Sequence, residues 1–273
     1  MTDFERIKEY YGTFDEWGRM DTPSGKFEME QTLSFILPLL KSSDRILDLG
    51  GGPGRYTVAL AELGYKVNLA DLSEELLVEA RKRIAERGLS RVESVLQLNA
   101  VDLGVFEDEA FDVVLLMGPL YHLTDENERI SCVKEVYRVL KKGGLVVASY
   151  IPYLAGSIGI IDRLFNAPKQ VNKENLEAVF DKGIFKNGAA RGFQEGYYPK
   201  SSEIMNLFKS AGFEKTIIRS VRGFAYGREE KLFNLKEENP SMYDLTVKLI
   251  NQTAEDPALI ESCGHSLYAG KKP

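Results

Sequence analysis

Ile46-Leu47-Asp48-Leu49-Gly50-Gly51-Gly52-Pro53-Gly54 is the stretch that decides the fold. Ile46, Leu47 and Leu49 read as a short buried strand that runs straight into a loop of glycines, and a helical pattern starts just after Gly54. Glycine lets the backbone turn sharply and lets a ligand approach the main chain with no Cβ in the way. A loop of this kind at the carboxyl end of a first parallel strand is where doubly wound α/β proteins bind nucleotide-like cofactors.

The dinucleotide fingerprint requires glycines in a G-x-G-x-x-G frame. Gly50 and Gly52 supply the first two, but Arg55 stands in the third place. Asp48, two residues before the first glycine, repels a pyrophosphate and can reach a cationic amino group, directly or through water. Together these features favour a cofactor with an ammonium and no phosphates, which points to S-adenosylmethionine. A nicotinamide-dependent oxidoreductase is disfavoured by Arg55. The run from Leu47 to Gly54 resembles the first motif of class I S-adenosylmethionine-dependent methyltransferases, most similarly the quinone-biosynthesis group. Later segments agree in order and spacing, firmly over residues 44–152 and loosely over 201–273.

Outward from the loop, strand and helix patterns alternate. Strands are expected at 45–49, 66–70, 92–98, 111–117 and 145–151, with helices at 55–63, 73–87 and 125–140. This β-α-β rhythm predicts a parallel sheet with helices on both faces. Residues 152–200 break it and read as loop-like. Beyond them come a helix at 201–211 capped by Ser201 or Ser202, a strand at 214–221, a mainly helical stretch over 228–260 and a last strand at 265–270. Helical apolar spacing over 3–17 and 26–41 precedes the first strand. The resemblance implies a Rossmann-like, doubly wound, seven-stranded and mostly parallel sheet whose last strand is antiparallel. The chain is expected to form one domain over 1–273: a helical cap at 1–41, an α/β core at 42–152 and 201–273, and an insert at 153–200 covering the acceptor pocket.

Candidate site residues follow the strand ends. Asp71, at the end of the second strand and about 20 residues past the loop, is placed to accept from both ribose hydroxyls. Leu72 beside it is a candidate for the adenine face. After the third strand, Asn99-Ala100 stands where relatives often carry Asp-Ala against the adenine amino group, and Asp102 competes for that role. After the fourth, Met117 is a candidate contact for the methionine part of the cofactor. Tyr121 and His122, in a Tyr-His-Leu run like that of many small-molecule methyltransferases, are the catalytic candidates. For His122 two readings stand, a proton acceptor and a packing histidine bonded to a backbone carbonyl. Tyr11 and Trp17 are candidate lid residues, Arg19 a partner for the cofactor carboxylate, and Tyr198 a wall of the acceptor pocket. Each of these aromatics also fits a purely packing role. Methyl transfer requires alignment and exclusion of water rather than a metal or a covalent residue, so no catalytic signature is required.

The bulk properties fit. The chain has 273 residues, a formal charge of −6 and a pI near 5.3, which argues against a broad nucleic-acid surface. No apolar run reaches the ~20 residues of a membrane span, and the N-terminus lacks a secretion-signal pattern, so a cytoplasmic protein, monomeric or homodimeric, is expected. Cys132 and Cys263 and the two histidines have no metal-ligand spacing. The expected function is methyl transfer from S-adenosylmethionine to an O, N or C atom of a small molecule. The alternatives are a methyltransferase for RNA or protein and a non-catalytic cofactor binder.

Overall fold

The computed structural model describes residues 2–187 and 193–273. Three helices lead in: α1 (Phe4–Thr13), α2 (Glu16–Arg19) and α3 (Pro23–Ile36). The core then alternates through β1 (Arg45–Leu49), α4 (Arg55–Glu62), β2 (Lys66–Asp71), α5 (Glu74–Glu86), β3 (Val92–Gln97), β4 (Phe111–Leu116), α6 (Glu126–Val139) and β5 (Leu140–Tyr150). Next come α7 (Tyr153–Asn166), α8 (Lys173–Lys182) and a small antiparallel hairpin of β6 (Ile184–Lys186) and β7 (Glu195–Tyr197). The chain ends with α9 (Ser201–Ser210), β8 (Glu214–Ser220), α10 (Glu229–Glu238), α11 (Pro240–Gln252), α12 (Pro257–Ser262) and β9 (Ser266–Lys271).

Seven strands form one sheet in the order β3-β2-β1-β4-β5-β9-β8. The strands from β3 to β5 pair in parallel, and β9 is antiparallel to both of its neighbours. The expected doubly wound, mostly parallel sheet with an antiparallel last strand is therefore present, with that strand inserted between β5 and β8. β4 is apolar at nearly every position because both its faces are covered. Val114 and Leu116 pack with Val133 and Val136 of α6 and Phe208 of α9. Val113 and Leu115 pack with Ile36 of α3 and Leu60 of α4 on the other face. The chain reverses its direction of sheet growth at β1, between β2 and β4, and the crevice beyond the carboxyl ends of such strands is the natural ligand site.

Several local expectations are corrected. The N-terminal helix breaks at Phe14-Asp15, because Asp15 turns to accept from the Gly18 N–H and caps the separate α2. β5 begins at Leu140, with its register against β4 shifting before Leu145. α9 is held by the Glu203 carboxylate, which accepts from the Lys200 N–H at 2.7 Å, with Ser201 and Ser202 inside the helix. The largest correction concerns the stretch after β5. Two full helices and a hairpin occupy most of what read as loop, although residues 188–192 of it lie outside the described residues.

Candidate cofactor and acceptor site

At the carboxyl ends of β1, β2, β4 and β5 a cavity of about 1220 Å³, counting its open mouth, runs beneath α1 and α2. The glycine loop forms its floor. Gly50, Gly52 and Gly54 all have positive φ (75°, 54° and 82°), which side chains rarely adopt. Gly50 N–H and Gly51 N–H both donate to the Ala70 carbonyl, at 2.8 and 3.3 Å, so the loop is stitched to β2. Gly50, Gly51 and Gly52 line the cavity, while Gly54 sits behind them as the N-cap of α4.

Asp71 lines the cavity and joins two loops. Its Oδ2 accepts from Gly52 N–H at 2.8 Å and its Oδ1 from Ser73 N–H at 2.8 Å. Burial raises its pKa, and the backbone donors of Ser73, Gly52 and Leu72 partly oppose that rise. Each oxygen keeps a lone pair for a ligand hydroxyl. Leu72, Asn99, Ala100 and Met117 line the same space. Asn99 Oδ1 accepts from Val101 N–H at 3.2 Å, which orients the side chain. Asp102 lies elsewhere: it is exposed and caps a turn by accepting from Gly104 N–H at 3.0 Å.

Asp48 is also displaced from the expected position. It is fully buried beneath the loop and does not line the cavity. Its Oδ2 accepts from Thr57 Oγ1 at 2.7 Å and Thr57 N–H at 3.1 Å, while Oδ1 has no hydrogen-bond partner. A Cβ on Gly51 would stand 2.6 Å from the Asp48 carboxylate carbon, so this glycine is required by what lies under it. Burial, opposed by the Thr57 hydroxyl and aided by the Asp71 charge, pushes the Asp48 pKa up to about 6. An acid whose folded pKa exceeds its unfolded value holds extra protons in the fold, so stability falls as pH rises across the interval between the two. Here that interval runs from about 4 to about 6, and the loss is about 3 kcal/mol. Wild-type stability measured in urea should therefore fall between those pH values by more than that of Asp48→Asn. Parallel pH profiles for the two proteins would refute this assignment.

The cap does not act as expected at every residue. Tyr11 lines the cavity and its hydroxyl meets His122 Nε2 at 2.7 Å. The Nδ1 of His122 faces the Glu195 carbonyl at 3.2 Å. That carbonyl can only accept, so Nδ1 carries the proton and Nε2 accepts from Tyr11. Burial brings the His122 pKa down to about 4. With both nitrogens engaged, His122 fits the packing reading and is not placed to take a proton directly from an acceptor. Tyr121 lines the cavity, with its hydroxyl donating to the Met117 carbonyl at 3.2 Å.

Trp17 lies outside the cavity. Its ring is covered by the guanidinium groups of Arg83, Arg55 and Arg87, at 3.7, 4.3 and 5.7 Å from the centroid. It clips α2 onto α4 and α5, and a stack of this kind contributes about 0.5–2 kcal/mol per cation. Trp17→Ala should lower the urea midpoint at low ionic strength, and an unchanged midpoint would remove the clip. Tyr198 is likewise outside. It is buried within the insert, against Gly156 and beside Phe185. Arg19 does line the cavity, but Glu16 fills its fork with contacts of 2.6–2.9 Å, and Glu28 lies 4.0 Å from its Nη1.

The inner end holds residues that sequence reasoning missed: Glu28 of α3, Tyr56, Ser149, Val221, His265 and Leu267. Glu28 is the hub. Its Oε2 lies 2.9 Å from His265 Nδ1 and 3.6 Å from Arg222 Nε. Burial works to raise the Glu28 pKa, but His265, Arg222 and Arg19 together outweigh it and bring the carboxyl down to about 2.

A family model described as a methyltransferase domain matches residues 46–144. A ubiquinone/menaquinone biosynthesis C-methyltransferase from Pectobacterium atrosepticum is 32% identical over 200 residues, which are 68% of this chain and 76% of that protein. The chain belongs to the class I S-adenosylmethionine-dependent methyltransferases. A second such C-methyltransferase, from Xanthomonas oryzae, aligns with the methyltransferase over 108 residues only, 39% identical and 41% of that protein's length. The crystal structure of a protein from Pyrococcus horikoshii superposes on it with a TM-score of 0.66. That match spans 97% of this chain and 99% of the other at 19% identity, and so shows a shared fold.

The cavity fits the methyltransferase's cofactor. Its floor is bare backbone and its rim carries the Asp71 carboxylate. Arg55, the cation nearest the loop in sequence, also lines the cavity, where it is tied to Asp21 at 2.5 Å and stacked on Trp17.

Proposed function

We propose that this methyltransferase acts on a small molecule bound at the inner end of its cavity. One observation carries the reading. The walls there come from the chain itself: Tyr121 after β4, Ser149 of β5, Val221 after β8, and His265 and Leu267 at β9, under the cap helices. Such an enclosed end suits a compact acceptor better than a polymer segment.

Within this reading Asp71 accepts from the ribose hydroxyls, and Asn99 and Ala100 meet the adenine edge. Leu72 covers the adenine face and Met117 borders the methionine part. The bare backbone of Gly50 to Gly52 permits close approach. S-adenosylmethionine supplies an electrophilic methyl group on a sulfonium. The chain aligns a nucleophile with it and keeps water out, which is where most of the acceleration of such transfers lies. Tyr11 and His122 join the cap to the turn after β4 and so hold the cap over the acceptor, while Tyr121 shapes its wall. The Pectobacterium relative is named as a C-methyltransferase of quinone biosynthesis, which brings an activated carbon within the range of acceptors. No described helix is long and apolar enough to cross a membrane, and a cytoplasmic setting belongs to this proposal.

The test is transfer of radiolabelled methyl from S-adenosylmethionine in a cell extract separated by size. Label is expected in the small-molecule fraction. Label confined to acid-precipitated protein or RNA would overturn the reading.

A further inference from the structure

Glu28 and His265 are 237 residues apart in sequence, yet they meet at the inner end of the cavity at 2.9 Å. Neither is needed for the cofactor contacts described above. Glu28 interrupts the buried face of α3 beside Phe27, where an apolar residue would be ordinary, and a carboxylate this buried is costly unless it is paired. Its Oε2 accepts from His265, so Nδ1 of that ring carries a proton. No hydrogen bond occupies His265 Nε2 among the described residues, and the ring lines the cavity beside Tyr121, 5.4 Å between centroids. His122, by contrast, has both nitrogens taken.

Charged groups surround the pair. Glu16 and Glu28 meet Arg19, and Glu28 and Glu229 meet Arg222. This chain of contacts holds three carboxylates against two guanidinium groups at the edge of the cavity. Tyr121 also faces the ring.

On the small-molecule reading given above, we propose that the Glu28–His265 dyad is the proton acceptor of the reaction and that the acceptor substrate is a phenol- or enol-type molecule whose hydroxyl proton is taken up at His265 Nε2. A carboxylate that orients an imidazole and stabilises its protonated form is a general-base arrangement. The hydroxyl proton passes to Nε2 and its electron pair stays on the acceptor. That pair forms the new bond to the methyl carbon, and the methyl–sulfur bond breaks with its electrons left on sulfur as a neutral thioether. For transfer to the hydroxyl oxygen, the proton later leaves Nε2 to water. For transfer to a conjugated ring carbon, that carbon loses its own proton to water and the oxygen is reprotonated from Nε2. Tyr11, Tyr56 and Tyr121 provide ring walls for a planar acceptor.

The test uses the full-length protein saturated with S-adenosylhomocysteine and titrated with 4-nitrophenol in buffer below the probe's own pKa. Wild type should convert bound probe to its yellow phenolate, one equivalent per chain. His265→Asn keeps an amide donor for Glu28 and removes Nε2, so it should bind the probe as the colourless phenol. Glu28→Gln should reduce the phenolate fraction severalfold. A merely structural His265 would be rescued by asparagine, and a phenolate band surviving in His265→Asn would overturn the dyad. Wild type binding only the neutral probe, or no saturable binding at millimolar probe, would also overturn it. Calorimetry with S-adenosylhomocysteine separates the two levels: failure of that ligand to bind wild type defeats the cofactor site itself, whereas its binding without phenolate formation defeats the dyad alone.

Discussion

Gly50→Val should lose about 2–5 kcal/mol of stability, the largest single-residue loss expected anywhere in the cofactor loop. Two costs combine. Gly50 has φ of 75°, where a side chain costs about 1–2 kcal/mol. A Cβ there would also lie 2.4 Å from Pro119 Cδ, and that proline opens the turn after β4 that carries Tyr121 and His122. Overpacking of this sort costs about 1–3 kcal/mol. Gly64 separates the two terms, because its φ is 90° but nothing lies within 4 Å of a Cβ built on it. Gly64→Ala should therefore show the backbone cost alone. Urea midpoints of the two variants check the argument, and equal losses would mean that the proximity to Pro119 carries no weight.

Asp71→Ala should weaken binding of S-adenosylhomocysteine by about 1–3 kcal/mol, roughly 5- to 150-fold. The substitution removes the acceptor proposed for the ribose hydroxyls. It also leaves the Gly52 and Ser73 N–H groups without the partners they now have at 2.8 Å, so the loop loses its tie to the start of α5. Asp71→Asn keeps one oxygen and should fall between the two. Titration calorimetry reads all three proteins, and an unchanged affinity in Asp71→Ala would remove this residue from the site.

Much of the fold and half of the site could be read from the residues because the information is local. Asp71 ends β2, Asn99 lies two residues past β3 and Met117 follows β4 directly, so finding the strand finds the residue. The inner end of the cavity is different. Glu28, Arg222 and His265 come from α3, the turn after β8 and the start of β9. Only the sheet order brings them together, and the nearest sequence signal was an acid on the buried face of α3. The insert misled for another reason. Gly156 and Gly159 weaken the helical pattern of α7, since glycine in a helix costs about 1 kcal/mol. Gly156 is there because a Cβ would stand 2.2 Å from Tyr198 Cγ. Asp102 and Trp17 show the limit of residue type as a guide. An acid after a strand and an aromatic near a mouth are each as useful to a turn or a stack as to a ligand.

The three guanidinium groups around Trp17 have a mechanical meaning. They anchor the far end of α2 to the helices that follow the glycine loop and β2, while Arg6 and Tyr11 moor α1 to Gln194 and His122 on the opposite bank. The N-terminal segment is thus a bridge fixed at both abutments, with Phe14-Asp15 as its break in helix. Any movement of this bridge changes the width of the cavity mouth beneath it.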